Sequence, residues 1–116
     1  MKKVIWIGSS KKDLLSLPDP VITTFGYGLY RAQLGEASRF AKVLKGFGNA
    51  QVIELKDNDA TGTYRAVYTV EFQEYVFVLH VFQKKSKQGI KTPQRDIEII
   101  KSRLQMARDL YNEGPE

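Results

Sequence analysis

Alternating and clustered hydrophobic residues predict β-strands in four stretches of the chain: residues 3–8, 51–55, 63–72 and 75–82. The last of these, "YVFVLHVF", is apolar on both faces, as expected of a central strand. "DNDATG", residues 57–62, consists of turn-forming residues and predicts a hairpin between the second and third strands.

The third strand alternates strictly, so its two faces are predicted residue by residue. One face is expected to carry Tyr64, Ala66, Tyr68, Val70 and Phe72, and the other Arg65, Val67, Thr69 and Glu71.

Helical spacing of apolar residues predicts helices between the first two strands and after the last strand. After the first strand, "SSKKDLLSL" offers Ser9 or Ser10 as a plausible helix cap. Residues 18–36 predict a helix that Gly26 and Gly28 interrupt or weaken. Residues 38–48 predict a second amphipathic helix, which a glycine turn closes. Thr92 is predicted as the N-cap of a last helix. Its buried face is expected to comprise Ile97, Ile100, Leu104, Ala107 and Tyr111.

These elements give the order β-α-α-β-β-β-α and one α+β domain spanning residues 1–116, with 111–116 as a frayed tail. Hydrophobic residues make up 42% and charged residues 27% of the 116 residues, which is typical of a globular domain. The chain has no cysteine, which excludes disulfides, thiolate metal sites and a cysteine nucleophile. No apolar run has the length of a membrane span or of a signal-peptide core, so a cytoplasmic protein is expected.

The net charge of +5 favours a polyanion or an acidic protein as the partner. Four lysines, Lys84, Lys85, Lys87 and Lys91, follow the most apolar strand within a short loop. Clustered ammonium groups favour an anionic ligand and lower one another's pKa, which suits proton transfer. The alternative is a solvated loop that keeps the end of the sheet soluble, and the sequence leaves both interpretations open.

Arg65 lies in the middle of an aromatic-rich strand, where it either grips a phosphate or forms an ion pair with Glu54 or Glu71. The residue pattern alone slightly favours the ion pair. Lys56 follows "IEL" and is expected toward the same end of the sheet. His80 is the only histidine; its apolar surroundings favour a satisfied, partly buried side chain, and one histidine makes a zinc site improbable.

Four stretches of the sequence, "LKGFG", "VIELKDND", "GTYRAVYTV" and "LHVFQKKSKQGIKTP", resemble the phage-derived, HigB-like branch of the RelE/ParE toxin superfamily. The resemblance covers about residues 13–105. It implies a RelE-like fold with a small, curved, mainly antiparallel sheet. It also implies a toxin of a type II toxin–antitoxin module: a ribosome-dependent mRNA interferase that uses no metal or other cofactor, in which the ribose 2′-hydroxyl attacks the adjacent phosphate.

Carried over by position, the resemblance implies four catalytic residues: Arg65, Lys85, Lys84 and Lys56. Arg65 would hold the phosphate, and Lys56 would be a base or a charge stabiliser. Lys87, Lys91 and His80 are candidate RNA-binding residues. No tyrosine follows the last strand, so the resemblance leaves the proton donor unassigned.

The implied partners are mRNA on the ribosome and a helix-turn-helix antitoxin of the HigA or Xre type. A non-catalytic basic module that binds antitoxin or RNA, and a ParE-like gyrase inhibitor, are the alternatives. Arg65→Ala is expected to relieve toxicity without unfolding the domain.

Overall fold

The computed structural model describes residues 1–84 and 92–115. Their strands and helices follow in the order β1 (Lys3–Trp6), α1 (Ser10–Leu15), α2 (Asp19–Gln33), β2 (Ala41–Val43), β3 (Val52–Asp59), β4 (Gly62–Thr69), β5 (Tyr75–Lys84) and α3 (Gln94–Glu113). No helix in the described part of the chain is both long and apolar enough to cross a membrane.

The five strands form one open sheet in the order β1-β5-β4-β3-β2. Strands β2, β3, β4 and β5 pair antiparallel, whereas β1 pairs parallel with β5. This confirms the predicted α+β class with a mainly antiparallel sheet, and the topology is compatible with a RelE-like fold. The predicted hairpin between residues 51–55 and 63–72 is also confirmed, with Asp59 opposite Gly62 at its tip.

Helices cover both faces of the sheet, so each face has its own hydrophobic core. The core on the α2 side includes Phe25, Leu29, Tyr68 and Val78. The core on the α3 side includes Val67, Phe77, Leu79, Ile100 and Leu104. The predicted faces of residues 63–72 are therefore confirmed within β4. Phe72 is the exception, because β4 ends at Thr69 and the chain then turns Phe72 toward the α3 side.

The predicted helix at residues 38–48 is wrong. Strand β2 lies there at the edge of the sheet, with Ala41 opposite Leu55, and is followed by a turn. Gly46 and Gly48 adopt positive φ angles of 101° and 59°, which a right-handed helix does not allow. The apolar residues of this segment still pack inward, since Leu44 and Phe47 contact the α3-side core. The observed order thus has one strand more than predicted.

Both ends of α3 differ from the prediction. The helix begins at Gln94 with Pro93, not Thr92, at the cap position. It continues to Glu113, so residues 111–113 are helical rather than frayed. Tyr111 stacks on Phe72 with 4.2 Å between the ring centroids, and this contact holds the end of the helix against the turn between β4 and β5.

Candidate functional site

Arg65 and Glu54 form a buried ion pair on the α3 side of the sheet. Their exposed fractions are 3% and 6%. Arg65 Nη1 donates to both carboxylate oxygens at 2.9 Å. The ion-pair interpretation of Arg65, which the residue pattern slightly favoured over a grip on phosphate, is thus confirmed with Glu54 as the partner. Glu71 instead pairs with Arg108 at 2.9 Å.

Thr92 joins this pair from the residues just before α3. Its hydroxyl accepts from Arg65 Nη1 at 3.3 Å and donates to Glu54 Oε2 at 3.2 Å. The hydroxyl that was predicted to cap α3 therefore connects the start of the helix to the sheet. Among residues 1–84 and 92–115, no side-chain hydrogen bond caps α3 at this end.

Lys84, the last residue of β5, brings another cation to the same end of the sheet. It lies opposite Thr63 and is 6% exposed. Burial lowers the pKa of its ammonium group, and the positive charges of Arg65 and Lys56 lower it further, while Glu54 opposes the shift. Lys84 is therefore a better proton donor than an ordinary lysine.

Lys56 completes the group, since it lies directly across from Arg65 in the β3–β4 ladder. Its side chain is exposed. The prediction that Lys56 and Arg65 lie at the same end of the sheet is confirmed. Three of the four residues predicted as catalytic thus meet around one carboxylate, that of Glu54. We call Glu54, Lys56, Arg65 and Lys84 the charge cluster.

A cleft of about 380 Å³ opens beside the charge cluster, between β2 and the start of α3. Its lining consists of Lys42, Val43, Leu44, Lys45, Glu54, Arg65, Thr92 and Ile97. A second depression of about 620 Å³ continues along the edge of β2, and its lining includes three basic residues, Arg39, Lys42 and Lys56, and two acidic ones, Glu54 and Asp57. Basic side chains thus extend along the β2 edge toward the charge cluster, and we call Arg39, Lys42 and Lys45 with this edge the basic surface.

Arg39, Lys42 and Lys45 were not identified from the sequence as site residues, because the prediction placed them on a helix. Strand β2 instead sets Lys42 directly across from Glu54. The closely spaced glycines at 46 and 48 are the signal that argued against a helix there.

His80 lies apart from the cleft lining, and α3 engages both of its ring nitrogens. Nε2 lies 2.8 Å from Asp96 Oδ1, and Nδ1 lies 3.4 Å from Arg103 Nη1. Because a guanidinium only donates, Nδ1 accepts and Nε2 carries the proton. Burial lowers the pKa of His80 and Arg103 lowers it further, although Asp96 opposes the shift. This supports the interpretation of a satisfied histidine, and an RNA contact would require one of these bonds to break.

Lys85, Lys87 and Lys91 lie outside the described residues. Within residues 1–84 and 92–115, no three His, Cys, Asp or Glu side chains come together as metal ligands would. The expectation of a reaction without metal stays a prediction.

The family model described as "Phage derived protein Gp49-like (DUF891)" matches residues 12–105, which is most of the chain. A search of curated proteins gives no match.

Proposed function

Because the chain belongs to the Gp49-like phage-derived protein family, which is a RelE/HigB-like toxin family, we propose that it is the toxin of a type II toxin–antitoxin module and cleaves mRNA on the ribosome. The observation that carries the proposal is the charge cluster. Two buried cations, Arg65 and Lys84, and the exposed Lys56 surround the Glu54 carboxylate at one end of the sheet. Three cations against one carboxylate leave the cluster with a net positive charge although Glu54 compensates Arg65, and a net positive charge suits a phosphodiester.

The reaction is an attack of the ribose 2′-oxygen on its own adjacent phosphorus. A bond forms between the 2′-oxygen and phosphorus while the bond from phosphorus to the 5′-oxygen breaks, which leaves a cyclic phosphate and a free 5′-hydroxyl. The 2′-hydroxyl proton goes to a base, and the departing 5′-oxygen takes a proton from an acid. Cations stabilise the dianionic transition state.

The charge cluster contains one group for each of these tasks. Glu54 lines the cleft and is the candidate base, held in orientation by Arg65 and Thr92. Lys84 is the candidate acid, since its pKa is lowered by burial and by neighbouring cations. Arg65 and Lys56 supply positive charge, and Lys85, in the adjoining segment, remains a candidate for the same role.

The basic surface along β2 provides a path for the RNA backbone. Lys42 and Lys45 line the cleft, and Arg39 lies further along the same edge. Phosphates bound there would place the next nucleotide against Glu54 and Arg65. An acidic segment of a helix-turn-helix antitoxin of the HigA or Xre type would neutralise the toxin by covering this same basic surface.

The proposal is tested by inducing the chain alone in a bacterium and mapping the 5′ ends of its messages. We expect growth arrest with codon-phased cuts. Glu54→Gln keeps the size of the side chain and an oxygen acceptor for Arg65 but cannot take a proton. Because it also leaves the buried Arg65 charge without a carboxylate, the purified variant is first shown to be folded by urea denaturation. The folded variant is expected to abolish the cuts. Lys11→Gln, which removes an exposed lysine on α1, is the matched control and is expected to leave the cuts unchanged.

Two other outcomes would overturn the proposal. Growth arrest with a DNA-damage response and intact messages would indicate a gyrase inhibitor. No arrest, with stable binding to a co-expressed antitoxin, would indicate a non-catalytic binding module.

A further inference from the structure

Strand β5 contains an extra residue in its ladder with β4. Val67 lies opposite His80, but the next residue, Tyr68, lies opposite Val78, so Leu79 has no counterpart on β4. Two residues on one strand then span the place of one on the other, which defines a β-bulge. The bulge lies within the run of buried residues in the middle of β5.

The bulge reverses which side of the sheet the following residues face. Val78 and Val81 both pack in the α2-side core, although strict alternation would place residues three apart on opposite sides. Leu79 and Phe82 likewise both face the α3-side core. Lys84 follows Phe82 by two residues and so also faces the α3 side. Without the extra residue, Gln83 would take that side and Lys84 would point away from Arg65.

Arg103, on α3, contacts the bulge directly. Its Nη1 donates to the Leu79 carbonyl at 3.0 Å, and its Nη2 donates to Ser9 Oγ at 3.1 Å. Ser9 Oγ in turn lies 2.7 Å from Asp13 Oδ2. The guanidinium therefore connects three elements of the fold, α3, the bulge in β5, and the turn into α1.

Gly8 leaves the space through which Arg103 reaches this position. A Cβ atom on Gly8 would lie 2.8 Å from Arg103 Nε, and the glycine φ of 57° is itself unfavourable for other residues. The turn after β1 is thus shaped around the arginine side chain. The hydrogen bonds of the guanidinium to Leu79, Ser9 and His80 Nδ1 give Arg103 a defined place at the bulge.

We propose that Arg103 is a positioning residue for the reaction. By holding the Leu79 bulge, it determines on which side of the sheet the side chains of the last β5 residues lie, and so keeps Lys84 beside Arg65. The catalytic consequence rests on the proposed nuclease function. The positional consequence does not, because it concerns only which side of the sheet Lys84 faces.

The positional claim is tested with single cysteines, since the chain has none of its own. Gln83 is exposed and Lys84 is buried, so the thiol of Gln83→Cys should react with a soluble thiol reagent at least about tenfold faster than that of Lys84→Cys. Adding Arg103→Met to each is expected to bring the two rates to within about twofold. Arg108→Met, which removes an α3 arginine paired with Glu71 away from the bulge, should leave the ratio unchanged.

A folded Arg103→Met protein that keeps the original ratio of thiol rates overturns the proposal. If that variant does not fold, Arg103→Gln is compared in the same way, because its amide is too short to span the Leu79 carbonyl and Ser9, and an unchanged ratio again overturns it. In an otherwise native chain, Arg103→Met should also slow message cleavage by about 10²-fold. Should the native chain cut no messages, the nuclease proposal fails while the thiol ratio still decides the positional claim.

Discussion

At Arg65, the cost of a substitution is set by Glu54, whose carboxylate is buried beside the guanidinium. Removing one partner of a buried pair leaves the other charge without compensation. We therefore expect Arg65→Ala to lower the free energy of unfolding by about 3–5 kcal/mol, measured by urea denaturation. The expectation that this variant relieves toxicity without unfolding the domain gives way to one in which stability is lost as well.

Two further variants isolate this cause. Arg65→Met combined with Glu54→Leu removes both charges and is expected to cost less than Arg65→Ala alone. Lys45→Ala removes an exposed cation from the same cleft and should change the unfolding free energy by no more than about 0.5 kcal/mol. An Arg65→Ala protein within about 1 kcal/mol of the wild type would contradict the prediction.

His80 gives the protein a predictable dependence of stability on pH. Its pKa in the folded protein is below the ordinary value of 6.5, because it is buried and lies beside Arg103. As pH falls below about 6.5, the unfolded chain takes up the proton first, so stability decreases until the lower folded pKa is reached. Above about 6.5 the contribution is fully present. The decrease from this one group is at most about 1.4 kcal/mol per pH unit.

Urea denaturation of the wild type and of His80→Gln at about pH 7.5 and about pH 5.5 measures this effect. The glutamine keeps an amide donor for Asp96 but does not titrate. The wild type should therefore lose more stability on acidification than the variant does. Equal losses in the two proteins would show that other groups cause the pH dependence.

At the scale of one helix and one strand, Gly28 allows α2 to lie close to β3. A Cβ atom at this position would lie 2.7 Å from Leu55 Cδ1, which is packed in the α2-side core. Gly28→Ala is therefore expected to lower the free energy of unfolding by about 1–3 kcal/mol, despite the better helix propensity of alanine. The measurement is urea denaturation of the purified variant.

Gly26 is the matched control on the same helix, because no atom lies within 4 Å of a Cβ placed there. Gly26→Ala should raise the free energy of unfolding by up to about 1 kcal/mol through helix propensity alone. A gain of stability in both variants would show that Leu55 moves aside at little cost.

An element can be predicted from the sequence when local residues determine it, and not when contacts with residues distant in sequence determine it. The alternation of β4 is a local property of the chain, so its faces and the direction of Arg65 could be predicted. Strand β2 could not, because its short extended segment gains its ladder bonds only from β3, distant in sequence, while its apolar spacing imitates a helix. For the candidate site, the sequence predicted that Lys56 lies toward the same end of the sheet as Arg65, which the ladder confirms. The bulge that turns Lys84 toward them could not be predicted, because it depends on Arg103, which lies 24 residues beyond Leu79.

For the whole molecule, the distribution of charge matters more than its net value of +5. Lys42 and Lys45 lie on the cleft, whereas Lys11 and Lys12 are exposed on α1, which packs through Leu14 into the core on the other side of the sheet. If RNA follows the β2 edge, only the first pair contacts phosphates. Each lost contact to a single strand reduces the slope of log affinity against log salt by about 0.7.

Replacing both Lys42 and Lys45 by glutamine should therefore make the salt dependence of binding to a short RNA shallower by about 1.4, as measured by fluorescence anisotropy. The double variant of Lys11 and Lys12 loses the same total charge but is expected to keep the wild-type slope. Equal changes in both variants would mean that RNA responds to the overall charge of the protein. In that case the binding data would not support an RNA path along the β2 edge to Glu54 and Arg65. A shallower slope in the Lys42 and Lys45 variant alone would show that these two lysines contact phosphates on that path.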